Sequence, residues 1–383
     1  MANVILYDEA YSFLRHTDWD FTENQQDEIS LLHPYPARFI ESIPYKLITE
    51  IGLNENERVL DPFCGSGTTL LEAQKLGYES VGIDLNPIAC LISRVKTQKA
   101  LFDIIEEGYA LSSRARIRYQ EEELSIPSIP NLDHWFKEDI QKAIFTLVSE
   151  INVLSNKCLQ DALRFCLSSI IVRVSNQDSD TRYAAVEKKS NAADVYRNFE
   201  IAVKRLQSAQ IHNKPDAFTK IINRDILSVH HDEIGDNIGL AITSPPYPNA
   251  YEYWLYHKYR MWWLGYDPID VREHEIGARP HFQKKNGQTE EDFYNQMASV
   301  FDLFGQVVVP SGHVCIVIGR SIIRGKEIDN ALLIRDMAEK RAFKIVADIE
   351  RTIAPTKKSF NLKYGKIKTE NILIFRKGEN NAN

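Results

Sequence analysis

The sequence predicts an α/β fold: an open, mostly parallel sheet covered by helices and interrupted by a mainly helical insertion. Three observations carry this reading. ERVLDPFCGSGTTLLEAQKLG (57–77) reads as a short apolar strand, a Gly-rich turn and a helix closed by Gly77. YESVGIDLNPIACLISRVK (78–96) repeats the pattern, and two successive strand–turn–helix units imply parallel strands joined by right-handed crossovers. The strand pattern then resumes at TKIINRDIL (219–227) and IGLAITSPPY (238–247), after a long stretch of different character.

Taken in order, residues 1–30 are polar and aromatic and read as an arm, and HPYPARFIESIPYKLITEIG (33–52) reads as a loop entering an amphipathic helix. Apolar residues recur at helical spacing in 139–174 and around 192–210, separated by the polar SNQDSDTRYAAVEKKSN (175–191), so 97–215 is expected to be a helical insertion. An aromatic stretch (251–266) and a polar loop near 270–290 follow. A helix is expected over 290–309, a buried strand at 312–319 and a helix over 327–341. FKIVADIER (343–351) and TENILIFRK (369–377) read as two closing strands, a hairpin at the sheet edge. The chain divides into 1–96 (arm and first part of an α/β domain), 97–215 (the insertion) and 216–383 (the rest of that domain).

No apolar run among the 383 residues approaches the roughly 20 needed to cross a bilayer. The acidic N-terminus lacks the basic start of a signal peptide. Five widely spaced cysteines without a CxxC pair argue against a disulfide scaffold or zinc module, so a cytoplasmic location and no metal are expected. The net charge of −7 argues against nucleic acid only as a total, because binding depends on local patches. Residues 319–377 carry fifteen Lys/Arg against seven Asp/Glu, a balance of +8. The loop 351–368, with Arg351, Lys357, Lys358, Lys363, Lys366 and Lys368, suits phosphate contacts, although a merely soluble basic loop is the alternative.

Three motifs carry chemistry. In Asp61-Pro62-Phe63-Cys64-Gly65-Ser66-Gly67-Thr68-Thr69 the glycines let backbone approach a ligand at a helix N-terminus, but the GxGxxG spacing of a dinucleotide turn is absent. Asp84, about 20 residues past that turn at the end of the second strand, is placed to accept two ribose hydroxyls; a helix cap before Pro87 is the competing reading. Thr243-Ser244-Pro245-Pro246-Tyr247 ends a strand with two prolines that cannot continue a ladder, which fixes a rigid backbone.

DPFCGSGTT closely resembles the S-adenosylmethionine-binding motif of amino-group DNA methyltransferases, and Ser-Pro-Pro-Tyr resembles the catalytic motif of the N4-cytosine and N6-adenine enzymes. The resemblance covers 33–96 and 219–377 and implies a Rossmann-like class I methyltransferase sheet: seven strands, mostly parallel, with an antiparallel edge strand. It implies S-adenosylmethionine as cofactor, with Asp61, Phe63, Gly65, Ser66, Gly67, Thr68 and Asp84 around it. HPYPARF resembles the family's segment that packs over the cofactor, adding His33 and Phe39, and Asp225 matches the acidic position near the adenine ring. An exocyclic amine is a poor nucleophile because its lone pair is delocalised. The Ser244 hydroxyl and Pro245 carbonyl can accept its N–H bonds while Tyr247 stacks on the flipped base, with Pro246 completing the site.

SPPY is associated mostly with N4-cytosine and DPPY with N6-adenine methylation, so cytosine N4 is the expected target, adenine N6 the alternative. None of the fifteen prolines precedes a cysteine, which excludes the usual C5-cytosine mechanism. RNA or protein glutamine as substrate, and a non-catalytic nucleic-acid-binding module, are further readings. The implied partners are DNA and a cognate restriction endonuclease, with no membrane; oligomeric state is not legible. The insertion and 250–290 both compete as the target-recognition region, and Arg173 and Arg182 are candidate DNA contacts in the insertion.

Overall fold

The computed structural model describes residues 2–21, 27–36, 38–99, 104–121, 123–180, 182–212, 217–249, 251–284, 286–353 and 369–379. Twelve strands run in chain order as β1 (Asn3–Leu6), β2 (Arg58–Asp61), β3 (Ser80–Asp84), β4 (Gln177–Ser179), β5 (Arg182–Ala185), β6 (Thr219–Asn223), β7 (Ile238–Thr243), β8 (Val308–Gly319), β9 (Ser321–Ile323), β10 (Lys326–Ile328), β11 (Phe343–Thr352) and β12 (Thr369–Lys377). Eight of them form one sheet in the order β1-β11-β12-β8-β7-β2-β3-β6. β6, β3, β2, β7 and β8 are mutually parallel, and β12 runs antiparallel between β8 and β11.

This is the expected Rossmann-like α/β sheet with one strand more, but the antiparallel strand β12 lies inside it rather than at its edge, because β11 and then β1 pair beyond it. β1 comes from the N-terminal arm and pairs antiparallel with β11 through Asn3↔Glu350 to Leu6↔Ala347. It covers the backbone groups that β11 would otherwise leave unpaired at the sheet edge. From β2 the chain winds outward through β3 and β6, then returns to β7 on the other side of β2. The order reverses between β2 and β7, and such a switch point opens a crevice at the carboxyl ends of the strands.

Both faces are covered. On one, Phe293, Met297, Phe301 and Phe304 of the helix Glu290–Val307 pack against Ile238, Val314 and Ile316. On the other, Leu14 and Trp19 of the arm and Ile43, Leu47 and Ile48 of the helix Ser42–Ile51 cover Val59, Leu240 and Val317. Burying such side chains contributes about 1.5–3 kcal/mol each.

The region between β3 and β6 is helical as expected, with Ile104–Glu121, Glu138–Asn152, Lys157–Val174 and Ala192–His212 as its long helices. Its polar stretch contains the β4–β5 hairpin. Its core is continuous with the helix Pro87–Thr97 (Ile88, Leu91, Ile92, Val95) and with Trp254, Tyr259 and Trp263 of the helix Tyr253–Trp263. Arg260, 1% exposed, secures that contact: it donates to the Ser168 carbonyl at 2.9 Å and to the Asp180 carboxylate of the hairpin. The polar loop near 270–290 contains the short helices Pro268–His274 and Arg279–Gln283. No helix among the described residues is long and apolar enough to cross a membrane.

Candidate functional site

The cleft lies at the switch point, with about 920 Å³ of empty space, part of it open to solvent. Its floor is the Gly-rich turn after β2. Gly65 (φ +49°) donates its N–H to Asp84 Oδ2 at 2.8 Å, and Gly67 (φ +78°) opens the helix Thr68–Lys75. A Cβ on Gly67 would stand 2.7 Å from Ser93 Oγ, and one on Gly65 would meet the Tyr35 ring at 3.3 Å. The turn is pinned from below: the Ser93 hydroxyl donates to the Gly65 carbonyl at 2.9 Å and the Lys96 ammonium to the Ser66 carbonyl at 3.1 Å. Burial pushes the Lys96 ammonium down to about 7.

Acidic side chains end three adjacent strands. Asp84 is not a helix cap. Asn86 performs that role by accepting from Ile88 N at 2.9 Å, while Asp84 takes the N–H of Gly65 and of Asn86, each at 2.8 Å, one on each oxygen. Asp225 accepts from Leu227 N at 3.0 Å and so does cap a short 3₁₀ turn, yet it also lines the cleft. Asp61 Oδ1 accepts from Phe63 N at 3.1 Å and from the Thr243 hydroxyl at 2.7 Å. The last bond joins β2 to β7, and so the Gly-rich turn to the Ser-Pro-Pro-Tyr segment.

A fourth carboxyl comes from a place the sequence did not mark. Glu275, on the segment that returns after the helix Tyr253–Trp263, accepts from the N–H of Tyr253 and Trp254 at 3.0 and 2.8 Å and faces the cleft. Burial pushes Asp61 and Asp84 up to about 6 and Glu275 up to about 8. None of these three forms an ion pair among the described residues. The cleft therefore favours a ligand that carries positive charge and hydroxyl or amine donors.

Of the residues expected to hold a cofactor, Phe39, Asp61, Phe63, Gly65, Ser66, Thr68, Asp84 and Asp225 line the cleft; Gly67 lies just behind it, shaping the turn. His33 does not reach it. It is 2% exposed, its Nδ1–H donates to the Pro34 carbonyl at 2.8 Å, and its Nε2 accepts from the Ser168 hydroxyl at 2.9 Å. Burial holds it neutral, so it anchors the 33–39 segment to the helix Lys157–Val174. Beside Phe39, this segment also reaches the cleft through Tyr35, whose ring stacks on Tyr253 (5.9 Å) and His257 (5.0 Å), and through Arg38. Tyr35 stood inside the quoted HPYPARF motif; Glu275 had no local signal.

Ser244 and Pro246 line the cleft, while Pro245 is buried and Tyr247 turns away, its hydroxyl donating to Glu370 Oε2 at 3.4 Å. Burial, followed by the Glu370 charge, pushes the Tyr247 phenol well up.

The basic candidates divide. Arg173 donates to Asn198 Oδ1 at 3.2 Å, and Arg182 lies 3.7 Å from Asp178 and is exposed on the hairpin. Lys357, Lys358, Lys363, Lys366 and Lys368 lie outside the described residues. Arg351 is not a surface phosphate contact: it is 4% exposed, pairs with Glu370 and donates to the Trp19 carbonyl at 2.7 Å. Facing inward from β11, it satisfies the arm rather than solvent.

Residues 9–94 match the N6/N4 methyltransferase family model, described as DNA methylase. Three curated relatives are type II methyltransferases. M.MjaII of Methanocaldococcus jannaschii is 35% identical over 21% of this chain and 16% of its own length. M.BsoBI of Geobacillus stearothermophilus is 24% identical over 66% and 56%, and M.MvaI of Kocuria varians 27% identical over 57% and 53%. The chain thus spans about half the length of the second and third and a smaller part of the first.

Proposed function

On the premise that the chain is related in sequence to the amino-group DNA methyltransferases, we propose that it is a site-specific DNA methyltransferase. In this reading it moves a methyl group from S-adenosylmethionine to the exocyclic N4 amine of a flipped-out cytosine, as the modification member of a restriction-modification pair. The observation that carries the reading is the Thr243–Asp61 bond at 2.7 Å, which joins the ends of β7 and β2 so that Ser244 and the Gly-rich turn line one cleft.

The residues present fit the cofactor. When bound, S-adenosylmethionine supplies an electrophilic methyl on a positively charged sulfur. Each Asp84 oxygen takes one backbone N–H and keeps lone pairs for ribose hydroxyls. Asp225 offers an acceptor for an aromatic amine, and Phe39, Phe63 and Ile226 offer apolar surface for a flat ring. Asp61 supplies negative charge for a sulfonium, and Glu275, pushed up to about 8, ionises more readily when a cation sits beside it. Toward the substrate, the Ser244 hydroxyl and Pro245 carbonyl accept the amine N–H bonds and release its lone pair from the ring. The rigid prolines hold the two acceptors in place, so positioning lowers the barrier without a covalent intermediate. Arg173, Arg182 and the lysines of 357–368 are proposed to meet phosphate.

Cytosine N4 rather than adenine N6 rests on Ser244 in place of Asp. The test is to methylate unmodified genomic DNA with the purified protein, digest it to nucleosides and identify the product by mass spectrometry. N4-methylcytosine is expected; N6-methyladenine alone overturns the choice of base, and methylation of tRNA without DNA overturns the substrate class.

A further inference from the structure

The helix Tyr253–Trp263 starts shortly after the Ser-Pro-Pro-Tyr segment and has no cap of its own. The residue before it, Glu252, makes no side-chain bond to the first turn. Its carbonyl takes the N–H of Leu255 and Tyr256 at 3.1 and 3.4 Å. The N–H groups of Tyr253 and Trp254 have no partner within the helix, as the first turn of a helix leaves its donors open. Glu275 supplies one from a separate segment: Oε1 accepts from Tyr253 N at 3.0 Å and Oε2 from Trp254 N at 2.8 Å. Negative charge is favoured at this end of a helix.

The same segment also grips the other end of the connection. The Gly277 carbonyl accepts from Asn249 N at 2.9 Å. Gly277 sits at φ +76° and packs so closely that a Cβ on it would lie 2.9 Å from the Tyr247 carbonyl oxygen. Residues 275–277 therefore hold Asn249 on one side and Tyr253 and Trp254 on the other, which sets where the chain leaves the Ser-Pro-Pro-Tyr segment.

Capping does not account for where Glu275 stands. Its side chain lines the cleft together with Ser244, Pro246, Tyr253 and Ile276. Each oxygen takes one N–H and keeps a lone pair, and the carboxyl forms no ion pair among the described residues. A buried carboxylate without a counter-ion is costly, so a cation in the cleft favours its charged form. Hydrogen bonds to a charged acceptor are roughly twice as strong as neutral ones.

Building on the proposed function, we propose that Glu275 is a positioning residue that links the two ligands. A positive group of the cofactor beside its carboxylate tightens its hold on Tyr253 and Trp254, and this fixes the exit of the Ser-Pro-Pro-Tyr segment where the target base is received.

The test compares S-adenosylmethionine with 5′-methylthioadenosine, which keeps adenine, ribose and sulfur but carries neither the sulfonium nor the ammonium. In the wild type at saturating ligand, hydrogen exchange of the Tyr253 and Trp254 amides is expected to slow about tenfold more with S-adenosylmethionine, the step from a neutral to a charged acceptor. Equal slowing by the two ligands overturns the inference without any variant. Glu275→Gln keeps the size and one acceptor oxygen but cannot ionise. Its affinity for S-adenosylmethionine is expected to fall about tenfold while that for 5′-methylthioadenosine stays unchanged, and the difference in exchange between the ligands disappears. At saturating S-adenosylmethionine its kcat for methyl transfer to unmethylated genomic DNA is expected to fall about tenfold as well. An equal loss of affinity for both ligands shows a helix cap alone and overturns the proposal, as does a wild-type kcat. Failure of the wild type to bind either adenosyl ligand refutes the cofactor reading of the cleft. Binding of both with no difference in exchange refutes only the role of Glu275.

Discussion

Thr243→Val removes the one hydroxyl that ties the strand of the Ser-Pro-Pro-Tyr segment to the carboxylate at the head of the Gly-rich turn. Thr243 is 0% and Asp61 3% exposed, and the bond is 2.7 Å long, so water cannot replace it without opening the sheet. Valine keeps the shape, which leaves the hydrogen bond as the main term. Asp61 titrates near 6 in the folded protein, so at pH 7.5 the lost bond is one to a charged acceptor, worth about 1.5–3 kcal/mol. At pH 5 the carboxyl is mostly neutral and the loss falls to about 0.5–1.5 kcal/mol. The sign follows from linkage: the bond favours the ionised form, so the variant's Asp61 titrates higher, and the cost is full above both values and shrinks below them. Urea midpoints of wild type and variant at pH 5 and 7.5 measure the difference. An equal loss at both pH values, or no loss at pH 7.5, refutes the claim that this bond to an ionised Asp61 joins the two halves of the site.

Other expectations concern the cofactor side. Asp84→Asn keeps one acceptor oxygen but replaces the other with a donor facing Gly65 N–H, so affinity for S-adenosylhomocysteine should fall about tenfold or more by titration calorimetry. An unchanged affinity would remove Asp84 from the ribose site. Gly67→Ala forces a Cβ to 2.7 Å from Ser93 Oγ at a φ of +78°, so it should cost about 1–3 kcal/mol in chemical denaturation, and a neutral result would contradict the turn geometry. Asp61 and Asp84, raised to about 6, stay protonated in the folded protein between pH 4 and 6 while the unfolded chain has ionised. Their contribution to the stability of the ligand-free protein is therefore lost as pH rises through that window. A positively charged ligand favours their ionised forms. S-adenosylmethionine binding at pH 6 should release protons, detected as a heat that varies with buffer ionisation enthalpy, and proton uptake would show that the carboxyls do not meet its charge.

Much of this was legible in the chain. The alternation of apolar strand, Gly-rich turn and helix is local, because strand and turn chemistry depends on neighbours in sequence, and it places Asp61 and Asp84 at strand ends before any packing is known. The same holds for Ser244 after an apolar run. His33 shows where this stops: the motif that contains it reaches the cleft through Tyr35, Arg38 and Phe39 but not through His33, because which ring of a loop turns inward depends on Ser168, 135 residues away, as its partner. Arg351 shows it for charge, since a basic residue beside five lysines reads as surface until Trp19 and Glu370 are seen to enclose it. The extra strand β1 followed the same rule, its pairing residues lying at the opposite end of the chain.

The sequence by itself therefore determined the fold class, the strand-end acids and the proline-bounded Ser244, all of which follow from backbone geometry within a few residues. Only the tertiary structure decided that Glu275 enters the cleft from beyond the Ser-Pro-Pro-Tyr segment, that Asp61 and Thr243 bond across 182 residues, and that Glu370 and Arg351 stand behind Tyr247. Those contacts arise from strand order and register, which bring distant residues together through sheet pairing and carry no periodic mark in the chain.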